Sequence, residues 1–582
     1  MAERARRRFL AVAAGLVAAG ALGACATVPS AGTVRYGRAL GQGAGGLEDS
    51  DIHVLPPAPG AGQGPTDVVA GFLRASANFD DDHADAKRYL TPAAATNWDP
   101  DRGITVYDPT NRAVPPPVPA SGPVRTITLT APRLAIIDPH GGYTVAPGRV
   151  VTPFKLVRQG ADWRLADPVP DGLLLTPTDV ERDLRSVYTY FLDPAARVVV
   201  PDHVFLRAPE RGRPTALVRA LLDGPTRWLA PAVTTAFPPG TKLIGNVPLE
   251  GTAVVVNLSP EAGRAGPAAR AAMSAQLVWT LRQLPDISGV RITIDGTPIG
   301  APDAADVQPI SSWSSFDPDA RSREAGSYFV QGGRLRLLDG AAVPGPLRGG
   351  ALPVSSPAIG GGVVAWLRTT ATATALYAGP LGGFPGLWMS GPRGSLTAPS
   401  VDRSGAAWTV RTGTPSAVLR LPLGAAKAAV VPATDLLRLG PVAELKISRD
   451  GTRAAAVVGT GAGRRLVVGR VVLHRGGLLS LEAFRAVAVN LLGPASLSWA
   501  DGDRVAVLGR IGVAGSGTPW LVAADGSTTT AVTTSGLPPG GAGRLAAGPG
   551  ADLLAAAGGS IYRSGGGAWF PVAVGTDPTW SS

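Results

Sequence analysis

The first apolar feature of the chain is an unbroken run over residues 9–22, directly behind Arg4, Arg6, Arg7 and Arg8. It has about 14 residues, whereas a helix crossing the hydrocarbon core needs about 20. Residues 26–64 show no period and are rich in Gly, Pro and Ala, which predicts a flexible tether. Periodicity begins near Thr66, read as a helix cap with Asp67 in the first turn. Val69, Phe72, Leu73 and Ser76 make one mostly apolar face through Phe79. Asp80, Asp81 and Asp82 interrupt it. A second helical piece carries Ala86, Tyr89 and Leu90, and Thr91-Pro92 ends it. Strand patterns follow: residues 126–130 alternate, 134–137 are apolar, and 154–156 and 163–165 read as half-buried. Helices and then a curved sheet predict a small α+β domain.

A second α+β unit follows. Residues 187–192 read as a strand and 216–222 as a short helix stopped by Gly224-Pro225. Residues 253–258 are apolar on both faces, as in a central strand. A longer helix over 267–284 starts on Pro267 and repeats Met273, Leu277, Leu281 and Leu284 at helical spacing. Residues 290–294 alternate as a half-exposed strand that turns at Asp295-Gly296. Beyond a Ser/Asp-rich linker, helical patterns nearly vanish. A loose repeat of about 40 to 50 residues takes over, the size of a propeller blade. Its copies run from Pro357 to Trp366, from Pro399 to Trp408, from Leu445 to Val457 and from Ser496 to Val507, with a weaker one around Arg544 to Leu554. The closing Asp577-Pro578-Thr579-Trp580 looks like the first strand of a blade begun near Tyr328, giving five or six blades. A pair of β-sandwiches is the other arrangement such strands allow. Trp366, Trp408 and Trp499 read as blade core rather than as a sugar platform.

A basic head, a short apolar run and small residues make a secretory signal. Leu22-Gly23-Ala24-Cys25 resembles a lipobox, which implies cleavage before Cys25 and lipidation of its thiol. An ordinary signal peptide with an incidental cysteine is the alternative. Cys25 is the only cysteine, so internal disulfides and cysteine-ligated metals are excluded. The formal charge is +11; without Glu3 and the four arginines of the head it is +8. The arginines are scattered, so no nucleic-acid footprint emerges. With only five lysines among 54 basic residues, the composition points to a GC-rich genome and says nothing of chemistry.

No catalytic motif stands out. His53, His83, His140, His203 and His474 are far apart and fall in no metal-ligand spacing. Asp80, Asp81, Asp82 and His83 lack the alternation of a calcium loop and read as a solvated interhelical turn. Gly41, Gly43 and Gly46 spell G-x-G-x-x-G, but no strand precedes them and no helix follows. Gly459, Gly461 and Gly463 read as a hairpin turn. Two carboxylates brought together by folding, as in glycoside hydrolysis, are beyond what a sequence shows.

The middle unit resembles a GerMN domain, through Ala220-Leu221-Leu222-Asp223-Gly224-Pro225, Phe237-Pro238-Pro239-Gly240-Thr241, Val255-Val256-Asn257-Leu258-Ser259 and Gln276-Leu277-Val278-Trp279. The first unit is similar, by analogy, to the cone-shaped nuclear-transport-factor-like type. The whole order resembles the actinobacterial lipoprotein LpqB family, with a GerMN domain and a C-terminal β-propeller. On that resemblance the chain divides into a signal peptide (1–24), a tether (25–64), an N-terminal α+β domain (65–180), a GerMN-like domain (181–302), a linker (303–326) and a β-propeller-like domain (327–582). The resemblance implies a non-enzymatic protein with no catalytic residue, cofactor or metal, and Cys25 as its one functional position. It implies a lipid anchor on the outer face of the plasma membrane and, as partner, the extracytoplasmic domain of a sensor histidine kinase in an MtrAB-type two-component system for envelope and division control. A lipoprotein that binds cell-wall glycan or peptide is the alternative. An enzyme acting on envelope polymers is a third reading, which the missing motifs disfavour.

Overall fold

A computed structural model describes residues 60 and 62–582, apart from 111–121, 208–211, 303, 321–325, 342, 344, 349–351, 426, 513–516 and 582. The signal, the lipobox with Cys25 and nearly all of the tether lie outside the described residues.

Pro65 rather than Thr66 opens the first helix, Pro65–Ser76. Proline suits that position because its missing N–H would have no partner there anyway. The Asp67 carboxylate reaches back to accept the Gly64 N–H at 3.3 Å. Thr91 does not end a helix but starts one: its hydroxyl accepts the Ala94 N–H at 3.3 Å, capping Pro92–Asn97. The sheet has five strands: β1 (Ile104–Tyr107), β2 (Val124–Ile137), β3 (Tyr143–Gln159), β4 (Asp162–Leu165) and β5 (Leu173–Leu175), in the order β4-β3-β2-β1-β5. The segments read separately at 126–130 and 134–137 are one strand, bent by a register shift between Arg133 and Ala135. Val68, Val69, Phe72 and Leu73 of the first helix bury against Ile127, Leu129, Phe154 and Leu156. Phe72 meets Phe154 and Trp98 edge to face at 6.1 and 5.3 Å. On the same helix a Cβ at Gly71 would lie 2.5 Å from the ring of buried Tyr89. Gly71→Ala is therefore expected to cost about 1–3 kcal/mol by overpacking, read by denaturant unfolding; an unchanged midpoint would show that the ring yields freely.

The second unit pairs β6 (Arg185–Leu192) with β7 (Val199–Leu206) and builds a separate sheet from β8 (Leu249–Glu250), β9 (Ala253–Leu258), β10 (Gly289–Ile294), β11 (Thr297–Pro298) and β12 (Val307–Pro309). Strands β9 and β10 run parallel, joined through the helix Pro267–Leu281. That helix is buried continuously from Ala272 to Leu281. Its polar residues are not idle: Gln276 and Thr280, with Gln283 two residues past the helix end, follow one another at spacings of four and three and hydrogen-bond the free edge of β6. Gln276 Nε2 donates to the Tyr190 carbonyl at 2.9 Å, the Thr280 hydroxyl accepts the Tyr190 N–H at 3.1 Å, and Gln283 both accepts from and donates to Tyr188. These side chains satisfy an edge that a neighbouring strand would otherwise cover. In the segment read as linker, Trp313 and Phe316 pack on this unit, and Trp313 Nε1 donates to Gln308 at 2.7 Å.

Six further sheets follow among the described residues: five of four strands and a closing one of three. The closing sheet joins Ser327–Gln331 and Arg334–Leu337 to the last strand, Thr576–Trp580, through pairs such as Ser327 with Trp580. The last strand and the first strands of the propeller thus share one blade, and among the described residues the ring has six. The middle strands explain the apolar runs. In Arg453–Val458, Ala454, Ala456 and Val458 pack with Trp408 and Val418 of the preceding blade, whereas Ala455 and Val457 pack with Leu497 and Val505 of the next. Both faces are buried, so the strand does not alternate. Trp366, Trp408 and Trp499 are all core. The polar turn of the repeat is an aspartate turn: Asp402 Oδ1 accepts from the Ser404 and Ala406 amides, Asp450 Oδ1 from Thr452, and Asp501 Oδ1 from Arg504.

Candidate functional site

Two polar sites stand out; of the residues weighed for chemistry in the sequence, the first contains His203 and the second is lined by Trp499. The first lies where all three domains meet. His203 on β7 is buried, its Nδ1 2.8 Å from the Asp525 carboxylate of the propeller and its Nε2 2.5 Å from the Ser186 hydroxyl. Tyr188 stacks on its ring at 5.0 Å. Next to it, Asp202 accepts the Thr226 N–H at 2.6 Å and hydroxyl at 2.9 Å. Arg453 of the third four-stranded blade is buried, and its guanidinium binds Asp450 and the Gly502 carbonyl, each at 3.1 Å, and the Pro201 carbonyl of β7. Arg485 lies 4.3 Å over the Trp228 ring and donates to Thr144 of the N-terminal domain at 2.9 Å. The fit is tight: a Cβ at Gly526, whose φ is +82°, would meet Val145 at 2.4 Å. These side chains surround a cavity of about 30 Å³, room for a water molecule.

Burial penalises the charged form of every acid here, and the neighbours decide the outcome. Asp202 is pushed up to about 6 by burial, against its hydrogen bonds from Thr226. Asp503 is also raised, by burial first and by Asp501 second. Burial would lower His203, but its hydrogen bond to Asp525 and that carboxylate's charge outweigh it, so His203 is raised. The signs agree. Each group holds its proton more tightly folded than unfolded, so each contributes stability at low pH that is lost as pH rises. For Asp202 the loss falls between about pH 4 and 6, and for His203 above about 6.5. Asp525 acts oppositely: burial raises it, His203 lowers it further, and its contribution is lost only in acid below its ordinary value. The melting temperature of the chain is therefore expected to fall from pH 5 to 8 more steeply than in Asp503→Asn, whose slope should be shallower. Equal slopes would remove Asp503 from the pH dependence.

The second site is the axis of the propeller. The innermost strands of all six blades line a cavity of about 110 Å³. Arg449 closes one end: it donates to Asp319 at 2.8 Å, to the Ala547 carbonyl at 2.9 Å and to the Trp499 and Ala500 carbonyls at 3.3 Å. Its side chain is 7% exposed, while Arg544 on the same lining is 44% exposed, so the channel opens at the Arg544 end. Glu444, Lys446 and Asp577 join Arg544 there.

His83 corrects the solvated-turn reading. Asp82 is exposed and pairs with Lys87, but His83 is buried between the Phe79 and Trp98 rings, at 5.2 and 5.7 Å. Arg207 from the second domain stands 3.2 Å from its Nε2 and 4.0 Å over Phe79. Burial and the Arg207 charge hold His83 below its ordinary value. His140 stays in an exposed turn, and His474 bonds only its own hairpin, through Ser480 at 2.7 Å. Among the described residues no group of three or more His, Cys, Asp or Glu could hold a metal. No described helix is long and apolar enough to cross a membrane. Cys25 and His53 lie outside the described residues.

The fold and these sites define a multidomain protein in which a GerMN-type unit is locked to an N-terminal α+β domain and a six-bladed propeller. Family models match in that order: "Lipoprotein LpqB, N-terminal domain" over residues 57–181, "Sporulation and spore germination" over 188–300 and "Lipoprotein LpqB beta-propeller domain" over 333–580. Lipoprotein LpqB of Thermobifida fusca is 34% identical over 542 residues, covering 84% of this chain and 85% of that protein. Lipoprotein LpqB of Cutibacterium acnes is 30% identical over 566 residues, covering 91% of each. The crystal structure of TolB from Acinetobacter baumannii aligns with 44% of this chain and 67% of its own, at 14% identity and a TM-score of 0.34. The chain belongs to the lipoprotein LpqB family.

Proposed function

We propose that the chain is a lipid-anchored module on the outer face of the plasma membrane. It binds the extracytoplasmic domain of a sensor histidine kinase and biases an MtrAB-type system in envelope and division control. The observation that carries this reading is family membership over nearly the whole chain, with three domains in the family's order. The junction supports it. Domains held by the buried His203–Asp525 pair and by Arg453 on the Pro201 carbonyl offer a partner one preorganised surface, so less binding energy is lost to ordering them. Binding shifts the kinase only as far as affinity differs between its two conformations.

The test places the kinase and the lipidated chain in the same vesicles and follows autophosphorylation. A severalfold change that saturates with the chain is expected; an unchanged rate at saturation would sink the reading. Anchoring raises the local concentration of the partner by geometry alone. Cys25→Ala protein, exported at normal levels, is accordingly expected to lose most of its effect on signalling in cells. Full signalling without the lipid would mean that tethering is dispensable.

A further inference from the structure

We propose that the blind channel of the propeller binds a small zwitterion, a free α-amino acid with a hydrogen or methyl side chain. The proposal goes beyond the kinase reading and does not depend on it. The channel mouth holds both signs of charge in one lining. Lys446 Nζ lies 3.6 Å from the Glu444 carboxylate, and Arg544 lies 4.0 Å from Glu444 and 3.9 Å from Asp577. Both Arg544 contacts are longer than hydrogen bonds, and among the described residues its guanidinium makes none. A fork of donors suspended between two carboxylates is geometry suited to accepting a third carboxylate bidentately. Glu444 and Asp577 remain to receive an ammonium.

The backbone has been bent to present this rim. Asp577 and Ser356 stand on the innermost strands of neighbouring blades, each just before a proline, with φ of +49° and +47°. The pairing slips at both places, between Tyr328 and Val330 and between Ser355 and Ala358. Bulges of this kind re-aim side chains, and left-handed non-glycine residues gather at binding sites. Size limits the ligand. About 110 Å³ is some three-quarters of the roughly 150 Å³ that accepts the six carbons of benzene, so it encloses about four or five non-hydrogen atoms, and glycine or alanine fills it with at most an atom or two left at the open Arg544 end.

The experiment is ligand-observed NMR and calorimetry on the full lipidated chain in detergent micelles, with glycine, D-alanine, L-alanine, acetate and methylamine as probes. At least one of the amino acids is expected to bind saturably, at least about tenfold more tightly than acetate or methylamine, since each lost charged hydrogen bond is worth about that factor. Arg544→Gln and Asp577→Asn should each weaken binding about tenfold or more, and Arg544→Gln should leave thermal melting unchanged because its side chain is 44% exposed. Absence of saturable binding by every amino acid would overturn the proposal. So would acetate or methylamine matching the best of them, or wild-type affinity in Arg544→Gln. No kinase is present, so this result and that of the vesicle assay are independent.

Discussion

Deletion of residues 576–582 is expected to open the propeller ring and abolish its cooperative unfolding. The last strand is the innermost one of the closing blade. It pairs with Ser327–Gln331, and its end is tied at Gly326, whose N–H donates to the Ser581 hydroxyl at 3.1 Å while the Ser581 N–H donates to the Gly326 carbonyl at 3.1 Å. Trp580 packs on the cluster of Phe329, Ala546, Leu554 and Ile561. Without the strand, these side chains face water and the inner edge of Ser327–Gln331 loses its partner. Truncating one large core side chain already costs about 3–5 kcal/mol. Removing a whole paired strand with its buried residues should therefore rival the about 5–15 kcal/mol net stability of a domain. Calorimetry of the truncated chain should show a broadened or missing propeller transition, and proteolysis should start within residues 327–400. A transition at the wild-type temperature would mean that the ring closes without the strand.

The same strand shows what the sequence makes legible. A blade repeats because two demands recur: a middle strand buried on both faces and a turn that needs an aspartate. Both leave local marks, Ala454-Ala455-Ala456-Val457 for the first and Asp402, Asp450 and Asp501 for the second. The last strand carried enough of the pattern to be paired with the region of Tyr328. The polar sites left no such mark. His203 and Asp525 are 322 residues apart, and Arg453 and Pro201 are 252 apart. In sequence Asp525 and Arg453 are polar residues beside turns and His203 is a lone histidine, which ordinarily means solvent. Burial of such groups follows from domain docking, which no local period encodes. His83 was misread for the same reason, since Arg207 of another domain covers it. Gln276, Thr280 and Gln283 did carry a signal, a polar stripe on a helix with few exposed positions. It pointed to the uncovered edge of β6.

Arg453→Met should uncouple the second domain from the propeller. The arginine is 3% exposed and joins Asp450 and Gly502 of the propeller to Pro201 of β7. Methionine keeps much of the volume and removes the cation, leaving Asp450 buried with only the Ser448 hydroxyl and the Thr452 amide and hydroxyl as donors. Removing one partner of a buried ion pair costs about 3–5 kcal/mol, because the remaining charge stays buried. Arg453→Lys retains the charge but not a fork that reaches two domains, and its loss should fall between those of wild type and Arg453→Met. The two losses separate structure from charge. If charge balance alone holds the junction, lysine behaves as wild type. If the bridge to Pro201 matters, both variants release the second domain, which proteolysis between residues 303 and 326 would register. Unfolding of Arg453→Met in a single transition at the wild-type denaturant concentration would show that the remaining contacts of the junction suffice and that the Arg453 bridge to Pro201 does not hold the domains.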